Sequence, residues 1–237
     1  MTFSQRSYQK ELLDRSDIPF EDIRQNMEEL DFINRKLGGH SITLAGLRSL
    51  LQQLGHRGAP GTEISVCEIG CGGGDNLRVI RDYLAKKKLH AELGGYDINP
   101  HCIEFAKSRE VNHSIQFFAS DYRAIQFDKK PDIIFCSLFC HHFTDREVED
   151  IFSWMKQHAA KGLFISDLHR NPFAYYSIKW LTRLFSRSYL VKNDACLSVL
   201  RGFRGRELKE FAERGGLSGC SIRWKWAFRW LVVYSHA

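Results

Sequence analysis

The chain has 237 residues and a formal net charge of +6, with 43% of its residues hydrophobic and 26% charged. This composition excludes an intrinsically disordered chain, and no run approaches the ~20 apolar residues of a membrane-spanning helix. The amino-terminal residues lack the apolar stretch of a signal peptide, which predicts a cytoplasmic protein. The modest positive charge suits nucleic acid, an anionic membrane surface or an acidic substrate, and alone favours none of them.

The seven cysteines show no Cys-x-x-Cys spacing. Cys67 and Cys136 lie within apolar runs, where a free thiol usually acts as a small core residue. An odd count without paired spacing argues against a disulfide framework or a zinc site, so no bound metal is expected.

Residues 1–60 are predicted to form a helical extension that acts as a lid. Apolar residues recur at helical spacing from Phe20, with Pro19 in the first turn and Gly38-Gly39 at the end of the helix. Ser41 is expected to cap a second helix, which stops near Gly55.

After Pro60-Gly61 the pattern changes to short apolar runs that alternate with charged, helical stretches. Strands are predicted at 64–69, 91–96, 115–118, 133–136 and 163–166, and helices at 76–87, 100–108 and 146–158. This alternation predicts an α/β fold, in which helices cover both faces of a doubly wound parallel sheet. The ligand crevice of such a sheet lies at the carboxyl ends of its strands.

The carboxyl-terminal part departs from this alternation. Residues 168–204 form a long connection, which we interpret as a helical cap inserted in a domain spanning 61–237. A helix is predicted at 205–214, followed by a hairpin of strands at 220–226 and 228–234.

The most informative segment is the run Glu68-Ile69-Gly70-Cys71-Gly72-Gly73-Gly74, between a predicted strand and a predicted helix. Its glycines allow a sharp turn and a close backbone approach to a ligand. A dinucleotide fingerprint would place glycine where Asp75 stands, and the Gly-Lys-Ser/Thr of a phosphate loop is absent. NAD and ATP are therefore both disfavoured.

The remaining pattern, Glu-x-Gly-x-Gly-x-Gly, resembles the first motif of the class I S-adenosylmethionine-dependent methyltransferases. The resemblance implies a Rossmann-like, mostly parallel sheet of seven strands and S-adenosylmethionine as the cofactor. It also implies that the turn packs against the methionine part of the cofactor. The residues it assigns there are Glu68, Gly70, Cys71, Gly72 and Gly74. A carboxylate at Glu68 suits the cationic ammonium group of that cofactor and would repel a pyrophosphate.

Two further motifs match the same family. Asp97 ends the next predicted strand, and the resemblance implies that it binds the ribose hydroxyls, with Ile98 beside it. Asp97 alternatively belongs to a helix N-cap before Asn99-Pro100. Asp121 and the Tyr122 backbone are implied as contacts of the adenine, although Ser-Asp-Tyr also suits a simple turn.

The fourth predicted strand ends at Ser137, assigned to the cofactor site, and an apolar loop with His141 and His142 follows. This arrangement resembles the small-molecule branch of the family, which includes quinone-biosynthesis methyltransferases. The Asp/Asn-Pro-Pro-Tyr/Phe motif of enzymes that methylate DNA bases is missing, so no nucleic-acid partner is expected. Both histidines are candidate general bases; alternatively, one packs under the cofactor and the other is exposed.

Acceptor contacts are predicted after the fifth strand and in the amino-terminal extension. The candidates are His169, Tyr176 and Trp180 on the acceptor side, with His40 and Tyr8 as lid residues. The aromatic residues of this region also fit one packed helical face. Residues 169–206 carry eight basic residues against Asp194 alone, which suits a peripheral membrane contact, an acidic substrate or a solvated face.

Taken together, these motifs predict methyl transfer from S-adenosylmethionine to a small aromatic or lipophilic acceptor, at oxygen, as in secondary metabolism. Two alternatives remain open. One is carbon methylation of a quinone or polyketide precursor, and the other is a cofactor-binding fold with a regulatory or assembly role.

Overall fold

The computed structural model describes residues 3–15, 17–54 and 63–236. The helices are α1 (Phe20–Lys36), α2 (Gly39–Gln53), α3 (Asp75–Lys86), α4 (Pro100–Ser108), α5 (Asp145–His158), α6 (Pro172–Phe185), α7 (Tyr189–Arg201) and α8 (Gly205–Arg214). The strands are β1 (Glu63–Ile69), β2 (His90–Asp97), β3 (Gln116–Ala119), β4 (Ile133–Ser137), β5 (Gly162–Leu168), β6 (Ser221–Lys225) and β7 (Arg229–Ser235).

All seven strands form one sheet in the order β3-β2-β1-β4-β5-β7-β6. The first five of these strands pair in parallel, whereas β7 runs antiparallel to both β5 and β6. This confirms the predicted doubly wound, mostly parallel sheet of seven strands with its terminal hairpin. Strand order reverses between β1 and β4, which places the ligand crevice beyond the carboxyl ends of these two strands.

The sheet is buried between two layers of helices. On one face, Leu47 and Leu50 of α2 pack with Ile80 of α3 in one apolar cluster. On the other face, Phe152 of α5 and Leu208 of α8 belong to a second cluster. Every residue of β4 is buried, as expected for a central strand of a parallel sheet.

The amino-terminal helices begin where predicted for α1 and earlier than predicted for α2. Pro19 immediately precedes α1, and Gly38 adopts a left-handed φ of 81° that turns the chain into α2. The expected cap at Ser41 is wrong: α2 starts at Gly39, and Ser41 Oγ donates to the Gly38 carbonyl at 2.7 Å. The predicted end at Gly55 and the boundary at Pro60-Gly61 lie outside the described residues.

The long connection after β5 forms the helical pair α6 and α7. Leu190 of α7 packs in a cluster with Ile23 and Met27 of α1 and with Phe105 of α4. The carboxylate of Asp194 accepts from the backbone N–H groups of residues 12 and 13, at 2.9 and 3.0 Å. The connection therefore packs against the amino-terminal segment.

Candidate functional site

The glycine turn joins β1 to α3 at the carboxyl edge of the sheet. Gly70, Gly72 and Gly74 have positive φ angles of 67°, 49° and 74°, which side chains other than glycine rarely adopt. The Gly72 N–H donates to Asp97 Oδ2 at 2.9 Å, and the Asn99 N–H donates to Asp97 Oδ1 at 2.9 Å. These bonds fix the carboxylate at the end of β2 against the turn and leave further lone pairs on both oxygens.

Glu68, the last but one residue of β1, is a buried carboxylate with one free oxygen. It is 1% exposed, and Asn76 Nδ2 donates to its Oε1 at 3.0 Å. Asn76 is in turn held by Thr43 of α2, whose hydroxyl donates to Asn76 Oδ1 at 2.9 Å. Oε2 has no hydrogen-bond partner among the described residues. Burial, with the nearby charge of Asp75, raises the pKa of Glu68 well above its usual value.

Arg229, which sequence analysis did not single out, supplies a matching cation. It begins β7 and is 4% exposed, and its Nη2 donates to Asn34 Oδ1 of α1 at 2.9 Å. Its Nη1 has no partner among the described residues. Burial lowers the pKa of Arg229 to about 10, so the guanidinium remains charged at neutral pH. The signal in the sequence is a single charged residue that opens the apolar run 230–233.

A short polar chain links Arg229 to the glycine turn. Asn34 Nδ2 donates to Asp75 Oδ2 at 3.3 Å, and Asp75 is the first residue of α3 after Gly74. His40 Nε2 lies 2.7 Å from the same Asp75 oxygen. The structure thus brings His40 beside the turn, and its role as a lid residue stays a prediction.

Side chains of α1, α4 and the loop after β4 pack closely around the turn. A Cβ atom on Gly72 would lie 3.3 Å from Met27 Sδ of α1, and a Cβ on Gly73 would lie 2.8 Å from the Phe105 ring of α4. On the other side, a Cβ on Gly70 would lie 2.2 Å from the ring of Phe139, in the loop after β4. The glycines are therefore needed both for their φ angles and for this close packing.

The other predicted cofactor residues lie around the same edge. The Ser120 N–H donates to the Asp97 carbonyl at 2.9 Å, which places Asp121 next to the end of β2. The Asp121 carboxylate pairs with Arg123 at 2.6 Å, and that pairing lowers the pKa of Asp121. The Tyr122 ring packs 5.4 Å from Trp154 in the core, so only its backbone remains for the predicted adenine contact.

Ile98, Cys71 and Ser137, which are also predicted to contact the cofactor, differ in how far they are exposed to solvent. Ile98 is 69% exposed beyond Asp97, whereas Cys71 is buried with its N–H donating to the Tyr96 carbonyl at 3.0 Å. Ser137 is buried at the end of β4.

His141 is held between two carboxylates and is 2% exposed. Its Nδ1 lies 2.7 Å from Asp167 Oδ1 on β5, and its Nε2 lies 3.5 Å from Glu11 Oε1. Burial alone would lower the pKa of His141, but Asp167 and Glu11 raise it to about 10. An imidazolium with both nitrogens engaged cannot accept a proton at neutral pH, so the geometry argues against the predicted role of His141 as a base.

His142 is differently placed. Its side chain is 23% exposed, and its Nδ1 lies 3.0 Å from Asp14 Oδ1, in the 3-10 turn Leu12–Asp14. A carboxylate only accepts hydrogen bonds, so Nδ1 carries a proton here and Nε2 is the nitrogen that can accept one. Nε2 is 3.9 Å from Glu11 Oε2, beyond hydrogen-bond distance. Glu11 and Asp14 were missed in the sequence because they lie about 130 residues away from the histidines.

Two side-chain groups have the composition of a cation site. The potential ligand atoms of Glu11, His141 and His142 lie within 4.8 Å of one another, as do those of Asp31, His40 and Asp75. In both groups the histidines already contact carboxylates. The contacts between histidine and carboxylate side chains within each group account for the arrangement without a metal.

The predicted acceptor residues do not form one enclosed pocket. Tyr176 and Trp180 are 53% and 64% exposed on the outer face of α6, and Tyr8 is 55% exposed. These three residues lie on the molecular surface, and their roles as acceptor contacts stay predictions. His169 is half-buried at the end of β5, where its Nδ1 accepts from Trp224 Nε1 at 3.2 Å.

The chain is similar to known methyltransferases in part of its sequence and in its fold. Residues 66–162 match the sequence family described as "Methyltransferase domain". The plantazolicin methyltransferase BpumL, in complex with SAH, has a TM-score of 0.64 at 14% identity over 92% of this chain and 97% of that chain. Human N-acetylserotonin methyltransferase, in complex with SAM, has a TM-score of 0.62 at 15% identity over 92% of this chain and 57% of that chain.

Magnesium protoporphyrin IX methyltransferase from Synechocystis PCC 6803, with bound SAM, has a TM-score of 0.56 at 11% identity over 94% of this chain and 100% of that chain. No curated protein matches the sequence. The fold is that of the class I methyltransferases. Residues 66–162, which include the glycine turn and Asp97, are the part of the chain that matches a methyltransferase domain.

Proposed function

We propose that this protein transfers the methyl group of S-adenosylmethionine to an oxygen atom of a small aromatic or lipophilic acceptor. The supporting observation is that an acidic and a basic side chain, Glu68 and Arg229, are buried near the glycine turn. Each has one polar atom in a hydrogen bond and one without a partner among the described residues. Glu68 Oε2 and Arg229 Nη1 both lack partners among the described residues. Buried polar atoms are normally paired, so two such atoms at one sheet edge favour a ligand with both charges.

The amino acid end of S-adenosylmethionine has this chemistry. We assign its ammonium group to Glu68 and its carboxylate to Arg229, since each pair joins opposite charges. Asp97 would hold the ribose hydroxyls through its remaining lone pairs. Asp121 and the backbone of Tyr122 would contact the adenine, as the sequence motifs predict. The cofactor supplies an electrophilic methyl group on a sulfonium sulfur when bound.

The protein's own contribution to the chemistry is alignment and proton removal. Alignment of reacting groups is worth about 7–11 kcal/mol of a reaction barrier. A phenol or similar acceptor must also lose its proton, and His142 Nε2 is the group we assign to accept it. Asp14 orients the ring and would stabilise the imidazolium that forms, as a carboxylate does beside a catalytic histidine.

The names of similar proteins favour an organic acceptor, since they are methyltransferases of plantazolicin and of N-acetylserotonin. Carbon methylation of a quinone precursor is the second candidate, because the apolar loop with His141 and His142 also resembles that of quinone-biosynthesis methyltransferases.

The role of His142 is tested with two matched substitutions. His142→Gln should lower kcat by roughly 10²–10⁴-fold with a phenolic acceptor, as expected when a general base is removed. His113→Gln changes an exposed histidine in a turn after α4 and should leave kcat unchanged. The substrates are radiolabelled S-adenosylmethionine with a panel of alkylphenols, carboxylic acids and quinone precursors.

The outcomes separate the candidate functions. Methylation of phenols by the wild-type protein but not by His142→Gln supports oxygen methylation with this base. Methylation confined to ring carbon of the quinone precursors would replace that proposal with the second candidate. Full activity of His142→Gln would remove His142 from the chemistry.

A further inference from the structure

Helix α6 presents an apolar stripe to solvent. Phe173, Tyr176, Trp180 and Leu184 follow one another at spacings of three and four residues, and they are 76%, 53%, 64% and 69% exposed. The opposite side of the helix is packed, with Ala174 and Tyr175 in an apolar cluster shared with α7. Side chains at this spacing lie on one face of a helix, so the stripe is continuous along α6.

The stripe is bordered by positive charge. Lys179 and Arg183 are exposed on α6, and Pro172–Phe185 contains no acidic residue. Two cations of the 169–206 segment do not belong to this surface. Arg170 is fully buried in an ion pair with Glu207, and Arg201 is buried with its Nε donating to the His141 carbonyl.

The tip of the β6–β7 hairpin carries further exposed apolar side chains and packs against the covered side of α6. Trp226 and Trp224 are 68% and 44% exposed, and their rings lie 5.5 and 6.1 Å from Phe228. Phe228 packs in the same cluster as Ala174 and Tyr175 of α6. The hairpin tip and α6 are therefore neighbours, both at the carboxyl edge of the sheet. At its other end α6 adjoins α1, where Glu29 accepts from the Arg187 and Ser188 N–H groups and bounds the surface.

We propose that the exposed stripe of α6 forms a docking surface for a membrane that contains anionic lipids. An exposed helix with aromatic and leucine residues on one side and lysine and arginine beside them lies in the interface plane of a bilayer. Tryptophan and tyrosine favour the headgroup level. At 14 residues α6 is about 21 Å long, shorter than a bilayer's apolar core of ~30 Å. No helix within the described residues is long and apolar enough to cross a membrane.

A second copy of the chain fits this surface less well. In a symmetric dimer built on α6, the same patch would face itself, and Lys179 and Arg183 of both copies would approach without acidic partners on that helix. An anionic lipid surface supplies the complementary charge instead. Vesicle binding by α6 is separate from methyl transfer and is measured without turnover.

The experiment is co-sedimentation with two kinds of vesicle. One contains equal amounts of phosphatidylcholine and phosphatidylglycerol, and the other contains phosphatidylcholine alone. The variants are Trp180→Ser with Leu184→Ser, which removes apolar area, and Lys179→Glu with Arg183→Glu, which reverses charge. The control is Lys86→Glu with Lys87→Glu, the same charge change on exposed residues at the end of α3, at the opposite edge of the sheet.

The wild-type protein and the control should pellet with anionic vesicles and less with neutral ones. Each α6 variant should lose at least about tenfold in partition coefficient while keeping the wild-type thermal midpoint. Equal pelleting of wild type and both α6 variants, or no pelleting of the wild type, would overturn the proposal. So would a wild-type dimer in sedimentation velocity that the Trp180→Ser, Leu184→Ser variant loses, because α6 would then cover a second copy.

Discussion

Glu68 places a carboxyl group in the core, where an amide side chain would destabilise the unliganded protein less. Its Oε2 is unpartnered among the described residues, and its raised pKa reflects that burial. Because the pKa is higher in the folded state, the folded chain binds the proton more tightly, and stability falls as pH rises above about 4.3. The proposed binding of a cationic ammonium group would account for a residue that weakens the unliganded fold in this way.

Glu68→Gln should therefore separate stability from binding. The variant should be more stable than the wild type by about 1 kcal/mol near pH 7, since it removes a half-satisfied buried acid. It should also bind S-adenosylmethionine about tenfold more weakly, because the ammonium loses its charged partner. Urea unfolding without ligand and calorimetric titration check the two effects. A variant that is less stable and binds normally would contradict the assignment.

Arg229→Gln gives the complementary test at the carboxylate end of the cofactor. The substitution should weaken binding of S-adenosylmethionine by about tenfold or more, because a charge-assisted bond is lost. Decarboxylated S-adenosylmethionine lacks the group that Arg229 would hold, so its affinity should be the same for the variant and the wild type. An equal loss of affinity for both ligands would show that Arg229 only supports the fold.

Some of these residues could be predicted from the sequence and others could not, for a physical reason. Glu68 and Asp97 stand in local motifs, so their positions at strand ends follow from the pattern. Arg229 and Asn34 meet across 195 residues, and Glu11 reaches His141 from the far amino terminus. The spacing of residues within a local motif cannot predict contacts between such distant segments. The side-chain direction of Trp180 was likewise beyond the pattern, because helical periodicity does not say which face is covered.

Among the elements, the glycine turn is the most constrained. Gly74 has a φ of 74°, and a Cβ there would lie 2.5 Å from the ring of Phe117. Gly219 has a similar φ of 82°, but nothing lies within 4 Å of its Cβ position. Substitutions at Gly219 and Gly74 therefore distinguish the free-energy cost of the left-handed backbone from the cost of steric overlap with a neighbouring side chain.

Gly219→Ala should cost about 1–2 kcal/mol, from the left-handed conformation alone. Gly74→Ala should cost about 1–3 kcal/mol more, because the ring of Phe117 or the turn must shift. Denaturant unfolding of both variants and the wild type measures the difference. Equal destabilisation would mean that the packing around Gly74 is looser than the structure shows.

The turn after β4 is connected to β5 and to the amino terminus through His141. Its pKa is raised in the folded state, so its contribution to stability is complete below about pH 6.5 and is lost as pH rises towards about 10. His141→Gln should therefore destabilise the protein more at pH 6 than near pH 10. Unfolding at several pH values checks this, with His113→Gln as the matched control. A difference between wild type and His141→Gln that is independent of pH would contradict the ion-paired state.

At the scale of the whole molecule, the parallel sheet and both its helical layers followed from alternation of strands and helices. The positions of the basic residues in the structure change how the net charge is interpreted. Eight basic residues between 169 and 206 look like one charged surface in the sequence. In the structure, Arg170 and Arg201 are buried and bind backbone carbonyls, while Lys179 and Arg183 remain on the surface. Burial depends on contacts between distant segments, so composition could not distinguish the two groups.

The central claim is that the glycine turn and Asp97 bind S-adenosylmethionine. Isothermal titration calorimetry with the wild type, Asp97→Ala and the exposed control Asp82→Ala tests it most directly. We expect the wild type and Asp82→Ala to bind with a Kd between about 1 μM and 1 mM, in line with ordinary substrate affinities. Asp97→Ala should bind at least about tenfold more weakly, because the ribose hydroxyls lose a charged acceptor. No binding by the wild type at millimolar cofactor, or equal affinity in Asp97→Ala, would contradict the account.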